Sequence, residues 1–126
     1  MNAGAVIFSR LVNQTAAGSR IFPLVLPQDA TFPAVTYQQI SSVRTHAMGQ
    51  DGAIIRVRVQ INSWGRSYAE ARTLAGEVET QLSRFKGTVG GTRVLDVLLD
   101  NEIETYESET QARRVIQDFT FLLLSP

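Results

Sequence analysis

No cysteine occurs among the 126 residues. Disulfides, thiolate nucleophiles and cysteine-ligated zinc are therefore excluded. Histidine is nearly as scarce: His46 is the only one. It lies beside a turn signal with no orienting partner nearby, so a general-base role finds no support and a solvated or interface residue is expected. An excess of one charge is missing too. Twelve Lys and Arg cancel twelve Asp and Glu, whereas domains that hold DNA or RNA by its phosphates are usually strongly basic. Zero net charge also leaves association between chains unopposed. No apolar run approaches the ~18 residues of a membrane span. The start, MNAGAVIFSRLVNQTAAG, has a short apolar patch without a cationic lead, and no signal peptide is expected.

What remains is a chain that is 44% hydrophobic, enough for the core of one domain over residues 1–126. Ala3 to Ala17 reads as a helix closed by Gly18. RIFPLVLPQDATFP, residues 20 to 33, holds three prolines and reads as an extended surface loop. Ala34 to Thr45 reads as a strand, and Gly49-Gln50-Asp51-Gly52 as a turn. In Ile54 to Trp64, Ile55, Val57, Val59 and Ile61 alternate with Arg56, Arg58, Gln60 and Asn62, the mark of a half-buried antiparallel strand. Trp64 closes it, expected to pack in the core or, as the alternative, ring on ring against another chain.

Ser67 to Phe85 reads as the second helix. Ser67 and Glu70 have capping-box spacing, and Ala71, Leu74, Ala75, Val78, Leu82 and Phe85 make one apolar face. Val94 to Glu104 is expected to turn Leu95, Val97, Leu99 and Ile103 to one side, and Arg114 to Leu124 is the last strand. The expected fold is α+β in the order α-β-β-α-β-β: a four-stranded antiparallel sheet with two helices on one face and the second and fourth strands central. The first hairpin's arms, about 11 residues or roughly 37 Å long, match the roughly 36 Å diameter of a domain this size. Its tip, RTHAMGQDG, is expected to project, as is the charged connection TYESETQARR.

Chemistry-bearing patterns are few. Asp96, Asp100, Glu102 and Glu104 fall at even spacing, on what reads as the polar face of one strand; a solvated face explains them, and so does the lining of a channel. Arg56 and Arg58 share the outer face of their strand, suited to solubility or to pairing across a subunit contact. Gly87-Thr-Val-Gly-Gly lacks the Lys-Ser/Thr of a phosphate loop and follows a helix. Asn13-Gln14-Thr15 matches a glycosylation acceptor with no secretory context. No cofactor, metal or catalytic set emerges.

The segment PAVTYQQISSVRTHAMGQDGAIIRVRVQINSWGRSYAEARTLAGEVETQL resembles the tail completion proteins of long-tailed bacteriophages, which include tail-to-head joining proteins similar in fold to tail terminators of the minor-tail-U type. The features are Pro33 to Tyr37, an Ile-Ser-Ser end, a Gly turn, a Val/Ile strand interleaved with Arg, the closing Trp, and Ser-Tyr-Ala-Glu-Ala opening a helix. The resemblance implies a non-enzymatic virion protein of the tail or neck, assembled in the bacterial host cytoplasm. It implies a ring, typically of six copies, that caps the tail tube and meets the head connector or stopper. Genomic DNA would only pass through the lumen, and no membrane is involved. Contacts between copies are expected at Arg44, His46, Met48, Gln50, Arg56, Arg58, Glu107 and Glu109, with Asp96, Asp100, Glu102 and Glu104 towards the lumen. A stopper or tube subunit of the same neck, and a small ligand-binding or enzymatic α+β domain, are the alternatives.

Overall fold

The computed structural model describes residues 3–45, 54–107 and 112–124, with the side chains of Thr45 and Glu107 left aside. The chain runs α1 (Ala3–Leu11), β1 (Ile21–Pro23), β2 (Ala34–Thr45), β3 (Ile54–Gly65), α2 (Tyr68–Leu82), β4 (Gly87–Val89), β5 (Thr92–Glu107) and β6 (Ala112–Leu124). The four-stranded antiparallel sheet expected from the sequence is not what forms. The sheet has six strands in the order β1-β2-β3-β6-β5-β4. It is mixed, because β1 runs parallel to β2, and it curls into a half-barrel. The two strands that periodicity misses are three residues each, too short to show alternation. One sits in the proline-bearing segment and the other in the glycine-bearing connection.

The second and fourth long strands do lie at the centre. β3 and β6 pair without a register shift from Ile54 opposite Leu124 to Gly65 opposite Arg113. Their alternate residues form the core: Ile55, Val57, Val59 and Ile61 on β3, Phe119, Phe121 and Leu123 on β6. α2 adds Leu74, Val78 and Leu82, and α1 adds Val6, Ile7 and Leu11, all in the same cluster. Both helices therefore share one face of the sheet. α1 reaches β1 and β2 on one side and β4 on the other, which places it inside the curl. It is shorter than the expected Ala3–Ala17, because Asn13 takes a positive φ of 58° and its N–H turns back to the Gly18 carbonyl.

α2 starts where its cap predicts. The Ser67 hydroxyl accepts the Glu70 N–H, a free amide of the first turn, while Glu70 Oε1 reaches back to accept the Arg66 N–H just before the cap. The helices are tied to each other by Arg10, whose guanidinium donates to the Gln81 carbonyl and lies 4.2 Å over the Phe85 ring.

β5 holds the main correction to the expected side-chain pattern. Its register slips twice, between Val94 and Asp96 and between Leu99 and Asn101. Each bulge inserts one residue and reverses which face the following side chains take. Val97 and Leu99 stay with the helices, but Ile103 ends 49% exposed opposite Ile116, and Glu102 and Glu104 come to the helix-covered face opposite Gln117 and Val115.

Two glycines respond oppositely to a methyl group. A Cβ on Gly65 would stand 2.6 Å from the Ala71 backbone nitrogen, whereas Gly76 in α2 has nothing within 4 Å. Gly65→Ala should cost about 1–3 kcal/mol. Gly76→Ala should add about 0.5–1 kcal/mol, because an exposed helical glycine loses more chain entropy than alanine. Urea unfolding of the two variants should move in opposite directions; a shift in the same direction contradicts this packing.

Candidate interaction surfaces

The β2–β3 ribbon leaves the covered part of the sheet. From Gln38 to Arg44 every β2 residue is exposed, with Val43 at 60%. Arg44, Arg56 and Arg58 all lie here; Arg58 is 3.8 Å from Asp118, and its side chain is more than half exposed. At that distance in solvent the pair contributes little. Of the other expected contact residues, His46, Met48, Gln50 and Glu109 fall outside the described residues. Glu107 ends β5, and its side chain is among those left aside.

The four carboxylates expected on one polar face are divided. Asp96 is held by Arg84 at 3.0 Å and Lys86 at 3.6 Å, just after α2. Asp100 accepts the Thr120 hydroxyl on the helix-free face. Glu102 and Glu104 meet Arg72 of α2 at 3.0 and 3.5 Å. Glu102 also accepts an N–H from buried Gln117, which donates on to the Ala75 carbonyl. The Glu102 hydrogen bond, reinforced by both carboxylates, raises the Arg72 pKa against the opposing effect of desolvation. The Tyr68 phenol is also pushed up. The cause is first its hydrogen bond to Glu104 and then that carboxylate's charge, since both favour the neutral phenol.

Arginine also meets aromatic rings at this end of the sheet. Arg113 lies 4.9 Å over Tyr106, and Arg114 lies 4.9 Å over Trp64. Trp64 is half-buried, and its indole N–H donates to Thr36, which also receives Asn62. The proline segment crosses the helix-free face here, so that Leu24 and Leu26 share a hollow with Thr36, Asn62, Trp64 and Arg114. A groove of about 380 Å³ opens between Tyr68, Glu104, Tyr106 and Arg113. Tyr and Arg at a concave surface are the residue types that dominate contact energy between proteins. This patch was missed in the sequence, because Tyr68 and Tyr106 fall on separate elements and converge only through the β5–β6 pairing.

These side chains build contact surfaces: stacked guanidinium–ring pairs, cross-strand ion pairs and long exposed ribbons. Among the described residues, no group of three or more His, Asp or Glu is placed to hold a metal ion. Comparison with known proteins gives the setting of these surfaces. The chain belongs to the family described as Tail completion protein gp17, whose profile matches residues 5–124. It is a structural protein of the bacteriophage tail and not an enzyme, as the resemblance implied. The fold is similar to a chain described as "Virion of native gene transfer agent (GTA) particle", with a TM-score of 0.74 at 14% identity, covering 98% of this chain and 95% of that one. No curated protein matches.

The Tyr68–Glu104 contact has a spectroscopic consequence. Glu104→Gln removes the charge and most of the hydrogen-bond bias, so the Tyr68 phenol should titrate at lower pH. The chain has three tyrosines, and subtracting the titration of a Tyr68→Phe variant isolates this one. An unchanged Tyr68 titration in Glu104→Gln rules out the contact.

Proposed function

We infer that this tail completion protein works as a ring of identical copies that ends the tail tube and presents a docking surface to the head connector, with the genome passing through the lumen. The observation that carries this reading is charge on opposite sides of one sheet. The β2–β3 ribbon exposes Arg44, Arg56 and Arg58, and β5 exposes Asp100, Glu102 and Glu104. A cyclic assembly needs such heterologous contacts, one patch meeting a different patch on the next copy. Long ribbons give each copy reach to its neighbour.

The acidic strand suits the contact between copies better than the lumen. Asp96 is already neutralised by Arg84 and Lys86, Glu102 and Glu104 lie on the helix-covered face, and Asp100 accepts the Thr120 hydroxyl on the helix-free face. The partners in this reading are further copies, the tube protein and the connector or stopper. The Tyr68–Tyr106–Arg113 groove has the composition of a docking site for one of them. Assembly takes place in the bacterial host cytoplasm.

Electron microscopy of particles made without the protein tests the role. A terminator predicts tails of abnormal length, or tails that fail to join heads; normal tails joined normally refute it. Arg44→Glu should prevent closure of rings by purified protein and leave its circular dichroism unchanged. Open-ended tubes from the wild-type protein would instead indicate a tube subunit.

A further inference from the structure

Both outer long strands have an unpaired stretch of edge. On β2, pairing with β1 ends at Pro23 opposite Tyr37, and the Leu24 N–H takes the Tyr37 carbonyl. On β5, β4 covers Thr92–Val94, and the Arg84 N–H takes the Val97 carbonyl. Beyond these stops, no backbone partner outside the sheet's own ladders is seen for residues 38–45 or 98–107 among the described residues. An exposed row of main-chain donors and acceptors is a template for another strand.

The two edges fit each other. Val35 and Tyr37 turn their main-chain groups outward, to Arg20 and Leu24. Alternation carried through the slip at Ile40 turns Ser42 and Arg44 outward as well. The outward Val97 carbonyl sets the phase on β5. Carried through the slip at Asp100, it turns Glu102 and Glu104 outward. The strands alternate in direction from β2 through β3 and β6 to β5. A β5 laid beside the β2 of a second copy in the same orientation is therefore antiparallel to it.

We propose that neighbouring copies join by antiparallel pairing of Ser41–Thr45 in β2 with Asn101–Thr105 in β5, with Arg44 opposite Glu102, Ser42 opposite Glu104, and Val43 opposite Ile103. This rests on the ring reading and names its contact. One register satisfies three independent features. The outward main-chain groups of both strips coincide. The exposed Arg44 meets the Glu102–Glu104 pair, two carboxylates that share Arg72. Val43 and Ile103, 60% and 49% exposed, cover each other on the helix-free face. Both strips lie beyond the bulges, on the side away from the stops, so neither β1 nor β4 obstructs them.

The absence of native cysteine makes the register testable by cross-linking. Val43 and Ile103 would form a non-hydrogen-bonded pair, about 4.5 Å between Cα atoms, within disulfide reach. Particles assembled with the double variant Val43→Cys, Ile103→Cys should, after mild oxidation, give a ladder of cross-linked chains on a non-reducing gel. Each single variant should give none. Val43→Cys with Thr105→Cys should also give none, since that diagonal of roughly 7–8 Å is too long. Both native residues are exposed, so purified monomer should keep its circular dichroism. Particles that carry several copies per tail but yield no ladder, or a stronger ladder from the shifted pair, overturn the edge pairing and leave the ring intact. One copy per tail overturns both.

Discussion

The uninterrupted pairing of β3 with β6 is the constraint on which the other elements depend. These strands are distant in sequence, and each brings its own hairpin partner, so their ladder converts two separate ribbons into one sheet. Because the register never slips, one face receives Val57 beside Phe121 and Val59 beside Phe119, and the other receives Arg58 beside Thr120 and Gln60 beside Asp118. A slip of one residue would send every one of those side chains to the wrong face. The helices have a single apolar surface to cover only because that alternation is kept. Irregularity is displaced to the outer strands, where β2 carries one bulge and β5 two.

Polar residues interrupt the buried face, among them Ser63 and Gln117. Gln117 is fully buried opposite Ile61 and Glu102. Its amide N–H₂ bridges the Ala75 carbonyl of α2 and the Glu102 carboxylate of β5, while its Oε1 has no partner among the described residues. An apolar residue of similar volume would avoid that orphaned acceptor. What Gln117 supplies is direction. With Arg72 and Glu102 it forms a connected seam that registers α2 against β5, a strand with which the helix shares little apolar contact.

Much of this was legible in the sequence because it depends on local period. The unbroken alternation of Ile54 to Trp64, the capping pair Ser67 and Glu70, and the apolar face of α2 each report a single element's relation to the core. The central position of β3 and β6 follows from the same regularity. The strands β1 and β4 were not legible, since three residues hold no period and their pairing is set by where β2 and β5 already lie. The faces of β5 were misread for a related reason. Strict alternation from Leu95 to Ile103 assumes a flat ladder, and the residue types at Leu95 and Asp100 do not mark them as bulged. That error moved Glu102 and Glu104 to the wrong face, and hid both the Arg72 seam and the groove beside Tyr68.

Those displaced carboxylates also govern which edges can meet. If two copies paired β5 with β5 about Ile103, Glu102 of each would stand opposite Glu104 of the other, and like charges directly opposed are unfavourable by about 0.2–1 kcal/mol per pair. A β5 edge facing a β2 edge replaces that repulsion with a contact to Arg44. The first arrangement is two-fold and ends at a dimer; the second is head-to-tail and continues until it closes. Edge strands are commonly guarded by charge against unwanted pairing. In the proposed head-to-tail contact the acidic guard on β5 would discriminate between partners, disfavouring the twin edge and accepting the basic one. Because the bulge at Asp100 puts Glu102 and Glu104 on the face that Arg44 also takes, the same irregularity that defeats a simple reading of the strand makes its edge selective.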